Sequence, residues 1–153
     1  MTLKTSLLSA TLLLATIGSA QAQDSAAQIK ARQGEMRVMA ISLGTLGGMA
    51  QGKIDYDAEA AAIAADNLVA VSMIHQAPFW PEGSDEMGAS NTAAKAEIWE
   101  DWAGFESDWA DFGTAAKAMQ VAAGTGAEAI GPAMGALGGT CKGCHDDFRA
   151  SRN

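Results

Sequence analysis

Through most of this chain the apolar residues recur at spacings of three, four and seven, and few residues favour strands. That spacing is the mark of amphipathic helices. From Ser25 to Gln51, Ile29, Met36, Leu43 and Ala50 stand seven apart, with Ala40 and Gly47 filling in, and on a helix they form one stripe. Gly52 and Lys53 end it, and Asp55 to Asp57 offer caps for a second helix in which Ile63, Asn67, Ala70, Val71 and Ile74 share a face. Pro78, Pro81, Gly83 and Gly88 make Ala77 to Asn91 the longest loop.

The third segment has the cleanest pattern. Ile98, Trp102, Phe105, Trp109, Phe112, Ala116 and Met119 alternate steps of four and three without a break, which is a bundle seam. Its other positions carry acids such as Glu100, Asp101, Asp108 and Asp111, read as a solvated face. After Gly124 to Gly126, a last segment again steps by three and four through Met134, Leu137, Cys141, Cys144 and Phe148, so both cysteines face inward. Pro132 belongs in a first turn, where its missing N–H costs nothing, and places the start of this helix near Gly131. The expected fold is all-α: an antiparallel four-helix bundle, up-down-up-down, built from one domain over residues 23–153.

The N-terminal stretch reads as a secretory signal peptide over residues 1–22: Lys4, an apolar run from Leu7 to Ile17, then Ala20, Gln21 and Ala22 before the cleavage point. The run is shorter than the roughly 20 residues of a spanning helix, so the expected location is the periplasm with no membrane span. The formal charge is −8. Removing the leader with Lys4 makes it more negative still. Nucleic acid, which needs a basic face, is therefore not an expected partner.

Cys141 and Cys144 are the only cysteines, and His145 follows the second. A thioredoxin-type dithiol needs strands nearby, which are missing from the pattern. A zinc site would have to recruit His75 or a carboxylate, and a disulfide would close a loop too small to constrain anything. Cys141, Lys142, Gly143, Cys144 and His145 together form the attachment pattern for c-type haem. Two thiols three apart lie on one helical face and can form thioethers to the two vinyl groups, while the adjacent imidazole reaches the iron. One such motif means one haem.

The motif lies close to the C-terminal end, on the last helix, and there the chain resembles the class II c-type cytochromes, the cytochrome c′ family. The closing LGGTCKGCHDDFR resembles that family's last helix, KARQ at Lys30 to Gln33 its first, GKIDYDAEAA its turn into the second, and AKAEIW at Ala94 to Trp99 the start of its third. The resemblance implies that His145 is the proximal iron ligand, with Arg149 one turn on near the haem. It implies that Arg32 and Gln33 contact the haem edge and propionates, and that Met36 faces the distal side of the iron. Phe79, Trp80, Trp102 and Phe105 are expected to wall the pocket, and His75, the other nitrogen candidate, reads as a surface or capping residue beside the proline-containing loop rather than a ligand.

The distal position separates two behaviours in that family. A bulky non-ligating residue there leaves a five-coordinate, high-spin iron open to carbon monoxide or nitric oxide. A methionine can ligate and give a six-coordinate, low-spin electron carrier, although some high-spin members keep a methionine that only packs. The expected function is a periplasmic one-electron carrier with His145/Met36 ligation, working with redox partner proteins. The runner-up is a high-spin protein that binds a small gas ligand. A peroxidase needs a polar distal acid/base residue, which the apolar stripe around Met36 does not supply, so no enzymatic activity is expected. The resemblance also implies a homodimer through the first two helices. Gly44, Gly47 and Gly48 would permit close helix contact there or make room for haem.

Overall fold

The computed structural model describes residues 18–151. The leader assigned above lies mostly outside them, and the described chain opens inside a helix. Five helices follow: α1 (Gly18–Ala50), α2 (Ala58–Ser72), α3 (Glu97–Glu100), α4 (Trp102–Ala123) and α5 (Ala127–Phe148), with a 3-10 turn at Ala77–Phe79. The four long helices form a bundle in which α1 and α4 each pack against both α2 and α5. Short links from α1 to α2 and from α4 to α5 make those neighbours antiparallel.

The main core fills the bundle. Leu46, Leu68, Met119, Ile130 and Leu137 are its fully buried anchors, packed with Phe112 and the small residues Ala61, Ala65 and Ala116. A second apolar cluster joins Ile98, Phe105 and Phe148 with Trp80, Trp99 and Trp102. These rings meet mostly edge to face, as at Trp80 and Phe105, 4.8 Å apart, or Phe105 and Phe148, 5.6 Å apart.

Four expectations are corrected. On α2 the face runs through Ala61, Ala64, Ala65, Leu68 and Val71 instead of Ile63, Asn67 and Ala70, which are exposed. Its small alanines let the helix sit close to α1 and α4, so the bulkier Ile63 was the misleading signal. On α1 the buried rungs include Arg32, Met39 and Leu46, which the heptad reading left out, and Ala40 faces the cavity described below rather than the packed core. The third segment is not one helix: the backbone breaks at Asp101 (φ −128°, ψ 62°), whose carboxylate caps α4 by accepting from the Gly104 N–H at 3.0 Å. Ile98 and Phe105 remain buried on either side of the break, so the seam survives it.

The last correction concerns Pro132, which lies inside α5. The helix begins at Ala127, after Gly126 at φ 146°, a conformation side chains rarely adopt. The N–H that Pro132 lacks would have bonded Glu128, still in the first turn, so the loss is confined to the helix end. Burial of Ile130 holds that additional turn against the bundle.

Of Gly44, Gly47 and Gly48 on α1, the last two serve packing. A Cβ on Gly47 would stand 3.4 Å from the Met134 Cε of α5, and one on Gly48 would stand 3.2 Å from Ile54. Neither glycine lines the cavity described next.

Candidate functional site

Between α1, α4 and α5 lies a cavity of about 500 Å³. Its α5 wall carries Cys141, Cys144 and His145, because steps of three and four on a helix keep them on one face. Its α1 wall carries Arg32, Gln33, Met36, Met39 and Leu43, spaced in the same way. Phe105, Trp109 and Phe112 of α4 supply the aromatic side. Most of this lining is apolar.

One end of the cavity is polar. Arg32 and Gln33 of α1 are hydrogen-bonded there to the segment that leads into α3. Arg149 enters at the same end, because Lys95 N donates to the Phe148 carbonyl at 3.1 Å and Ala150 N to the Ala93 carbonyl at 2.9 Å. That small antiparallel bridge ties the end of α5 to residues 93–95. It fixes where the helix bearing both cysteines stops.

Arg32 is buried yet forms no ion pair among the described residues. Its guanidinium donates to the Phe79 carbonyl (3.2 Å), Ser84 Oγ (2.8 Å), the Ser84 carbonyl (2.6 Å) and Thr92 Oγ1 (2.9 Å), all neutral acceptors. It also lies 4.2 Å from the centroid of the Trp80 ring, a cation–π contact worth about 0.5–2 kcal/mol. Burial pushes its pKa down to about 10, which still leaves it charged at neutral pH. The loop that delivers Ser84 is folded tightly: Asp85 accepts from the Met87 and Gly88 N–H groups, and any Cβ on Gly88 would strike the Gly83 carbonyl.

At the other wall, burial raises both thiols, Cys144 to about 12, with the charges of Asp108, Cys141 and Asp147 adding to the effect. Neither sulfur is paired in a disulfide, so both are available to the ring. His145 is held below its ordinary value, first by desolvation at the cavity wall and then by Arg149, with Asp146 opposing. A neutral imidazole is the form that ligates a metal.

The lining fits a haem. A planar macrocycle needs a mainly apolar slot, and 500 Å³ lies within the range of about 300–1,000 Å³ typical of ligand pockets. Its two carboxylate side chains need cations, and Arg32 is a buried cation with no carboxylate of its own. The thiol pair stands on the same wall as the imidazole.

The structure brings together around one cavity Cys141, Cys144, His145, Arg149, Arg32, Gln33 and Met36, the residues expected to hold the haem and its iron. Among the four walling aromatics it separates roles: Trp80 and Phe105 line the cavity, Trp102 packs behind Phe105, and Phe79 contributes only its carbonyl to Arg32. His75 is exposed after α2 and does not line the cavity. Sequence reasoning missed Met39, a second thioether on the α1 wall, although Arg32, Met36, Met39 and Leu43 repeat the four-three step that would have found it. It also missed Asp108, read as solvated but lining the cavity, and the Arg32 partners Ser84 and Thr92, which lie 52 and 60 residues away and leave no local signal.

A profile of the family described as Cytochrome C′ matches residues 27–149. A cytochrome c′ of Cereibacter sphaeroides is 39% identical over 143 residues, covering 94% of this chain and 96% of that protein. Among solved structures, a cytochrome c′ from Rhodobacter sphaeroides superimposes with a TM-score of 0.80 at 38% identity, covering 84% of this chain and 98% of that one. A nitric oxide complex of a variant cytochrome c′ from Alcaligenes xylosoxidans gives a TM-score of 0.71 at 27% identity, covering 83% and 97%.

Proposed function

This chain belongs to the cytochrome c′ family of class II c-type cytochromes and carries one covalently bound haem c, and from that premise we propose that it is an exported one-electron carrier whose iron is held by His145 and Met36. When bound, the haem supplies the reversible one-electron chemistry. The residues of the chain do the rest. Cys141 and Cys144 anchor the ring to α5, and His145 presents a neutral nitrogen from the same face. Arg32, Gln33 and Arg149 receive the propionates at the polar end, while Phe105, Trp109 and Phe112 keep water from the ring.

The observation that carries the reading is the placement of Met36 across the cavity from His145, on the α1 wall. A thioether in an apolar slot has few partners other than the iron. Met39 and Leu43 flank it and supply no nitrogen or oxygen. Export to the periplasm fits the leader pattern, and among the described residues no helix is long and apolar enough to cross a membrane. A large exposed apolar residue on α1, Ile41 at 73%, supports a homodimer in which that helix takes part. Sedimentation of Ile41→Asp would then show a smaller species, and an unchanged one would count against this face.

A second reading rests on the nitric oxide complex of the Alcaligenes relative. In it Met36 only packs, the iron keeps an open distal position, and the protein binds nitric oxide or carbon monoxide. Absorption spectra of the ferrous protein with and without carbon monoxide separate the two. Indifference to the gas supports the carrier; a ready spectral shift supports the gas-binding protein.

A further inference from the structure

We propose that Trp80 is the positioning residue that holds the Arg32 guanidinium at the propionate end of the haem and, through that cation, raises the reduction potential; the inference rests on the haem reading above and deepens it. The four hydrogen bonds of Arg32 fix its two terminal nitrogens but come from a loop and its two flanks. The Trp80 ring, its centroid 4.2 Å from Arg32 Cζ, covers one face of the guanidinium.

Trp80 is itself held from several directions. Its indole N–H donates to Gln76 Oε1 at 3.0 Å, and Gln76, buried, donates to Glu35 Oε2 of α1 at 3.2 Å. The Trp80 carbonyl accepts from the Trp99 indole at 3.0 Å, and its ring packs edge to face on Phe105. The platform is thus tied to α1, α3 and α4 at once, whereas an arginine alone has many rotamers to lose.

A fixed cation in a low-dielectric site favours the ferrous state, which carries one positive charge fewer, and it needs no reorganisation when the electron arrives. Without the ring, one face of the guanidinium opens to water, the charge moves and its field is screened. The hydrogen-bond partners of Arg32 are all neutral, so none of them offsets its charge.

The test is spectroelectrochemical titration of the holoprotein in native form and as Trp80→Leu, Trp80→Phe, Arg32→Gln and the double variant Trp80→Leu/Arg32→Gln, with thermal unfolding of the same samples. Arg32→Gln should shift the one-electron equilibrium about tenfold toward ferric, a fall of about 59 mV. Trp80→Leu should reproduce most of that fall, Trp80→Phe little of it, and the double variant should match Arg32→Gln alone because both act through one cation. A Trp80→Leu protein that loses thermal stability and keeps its potential, while Arg32→Gln loses potential, overturns the proposal and leaves the haem reading intact. An additive double variant overturns it as well. If Arg32→Gln itself leaves the potential unchanged, the assignment of Arg32 to the propionates is what fails. Should Trp80→Leu give no holoprotein, Trp80→Met fills the space without a ring and carries the same expectations.

Discussion

Nη1 of Arg149 stands 3.2 Å from Nδ1 of His145, one turn back along α5. Iron-ligating histidines commonly turn that nitrogen to a carboxylate or carbonyl, which strengthens them as donors. Coordination through Nε2 would instead leave the Nδ1 proton facing a guanidinium. The imidazole is then a weaker donor than usual, and the ferric state is less favoured.

Arg149→Ala should therefore lower the reduction potential, both by strengthening the ligand and by removing a nearby positive charge. The expected fall is of the order of 59 mV, tenfold in the one-electron equilibrium. Spectroelectrochemistry of the holoprotein checks it, and an unchanged or raised potential would contradict the proximal role given to His145 and its neighbour.

The inward face of α2 makes a stability prediction. Leu68 is fully buried, whereas Ile63 is 54% exposed. Leu68→Ala should cost about 2–5 kcal/mol, the usual range for a core truncation, and Ile63→Ser less than about 0.5 kcal/mol, as at an exposed site. Denaturant midpoints of the two variants decide it; comparable losses would restore the face that hydrophobicity alone selected.

Glu35 supplies a pH dependence. Burial raises its carboxyl above the ordinary value of 4.5, with the Gln76 hydrogen bond opposing. The folded state therefore binds this proton more tightly than the unfolded state, and stability falls as pH rises from the unfolded value through the raised one. Glu35→Gln removes that loss. Its melting temperature relative to the native protein should improve between about pH 4 and about pH 7. A constant difference across that range would show that Glu35 is not strained in its ionised form.

How far the sequence reached depends on the kind of signal. The seam from Ile98 to Met119 and the α5 stripe through Leu137, Cys141, Cys144 and Phe148 were legible because large apolar residues repeat at helical spacing and do face inward. The α2 face was misread because its contact is made by Ala61, Ala64 and Ala65, whose value lies in being small. The break at Asp101 was hidden because the seam continues through it. The site residues came from a short motif and a family resemblance, while the environment of Arg32 came only from the fold. Ser84 and Thr92 meet it across the long loop, and no periodicity records such a contact.

Ligation of the iron by Met36 is the central claim, and the absorption spectrum of Met36→Leu, set beside those of the native protein and Met39→Leu, tests it most directly. The account predicts that the native ferric protein and Met39→Leu both show a methionine-to-iron charge-transfer band and that their ferrous forms ignore carbon monoxide. Met36→Leu should lose the band, turn high-spin and bind the gas. A native protein that is already high-spin and binds carbon monoxide, or a Met36→Leu spectrum identical to the native one, would contradict it.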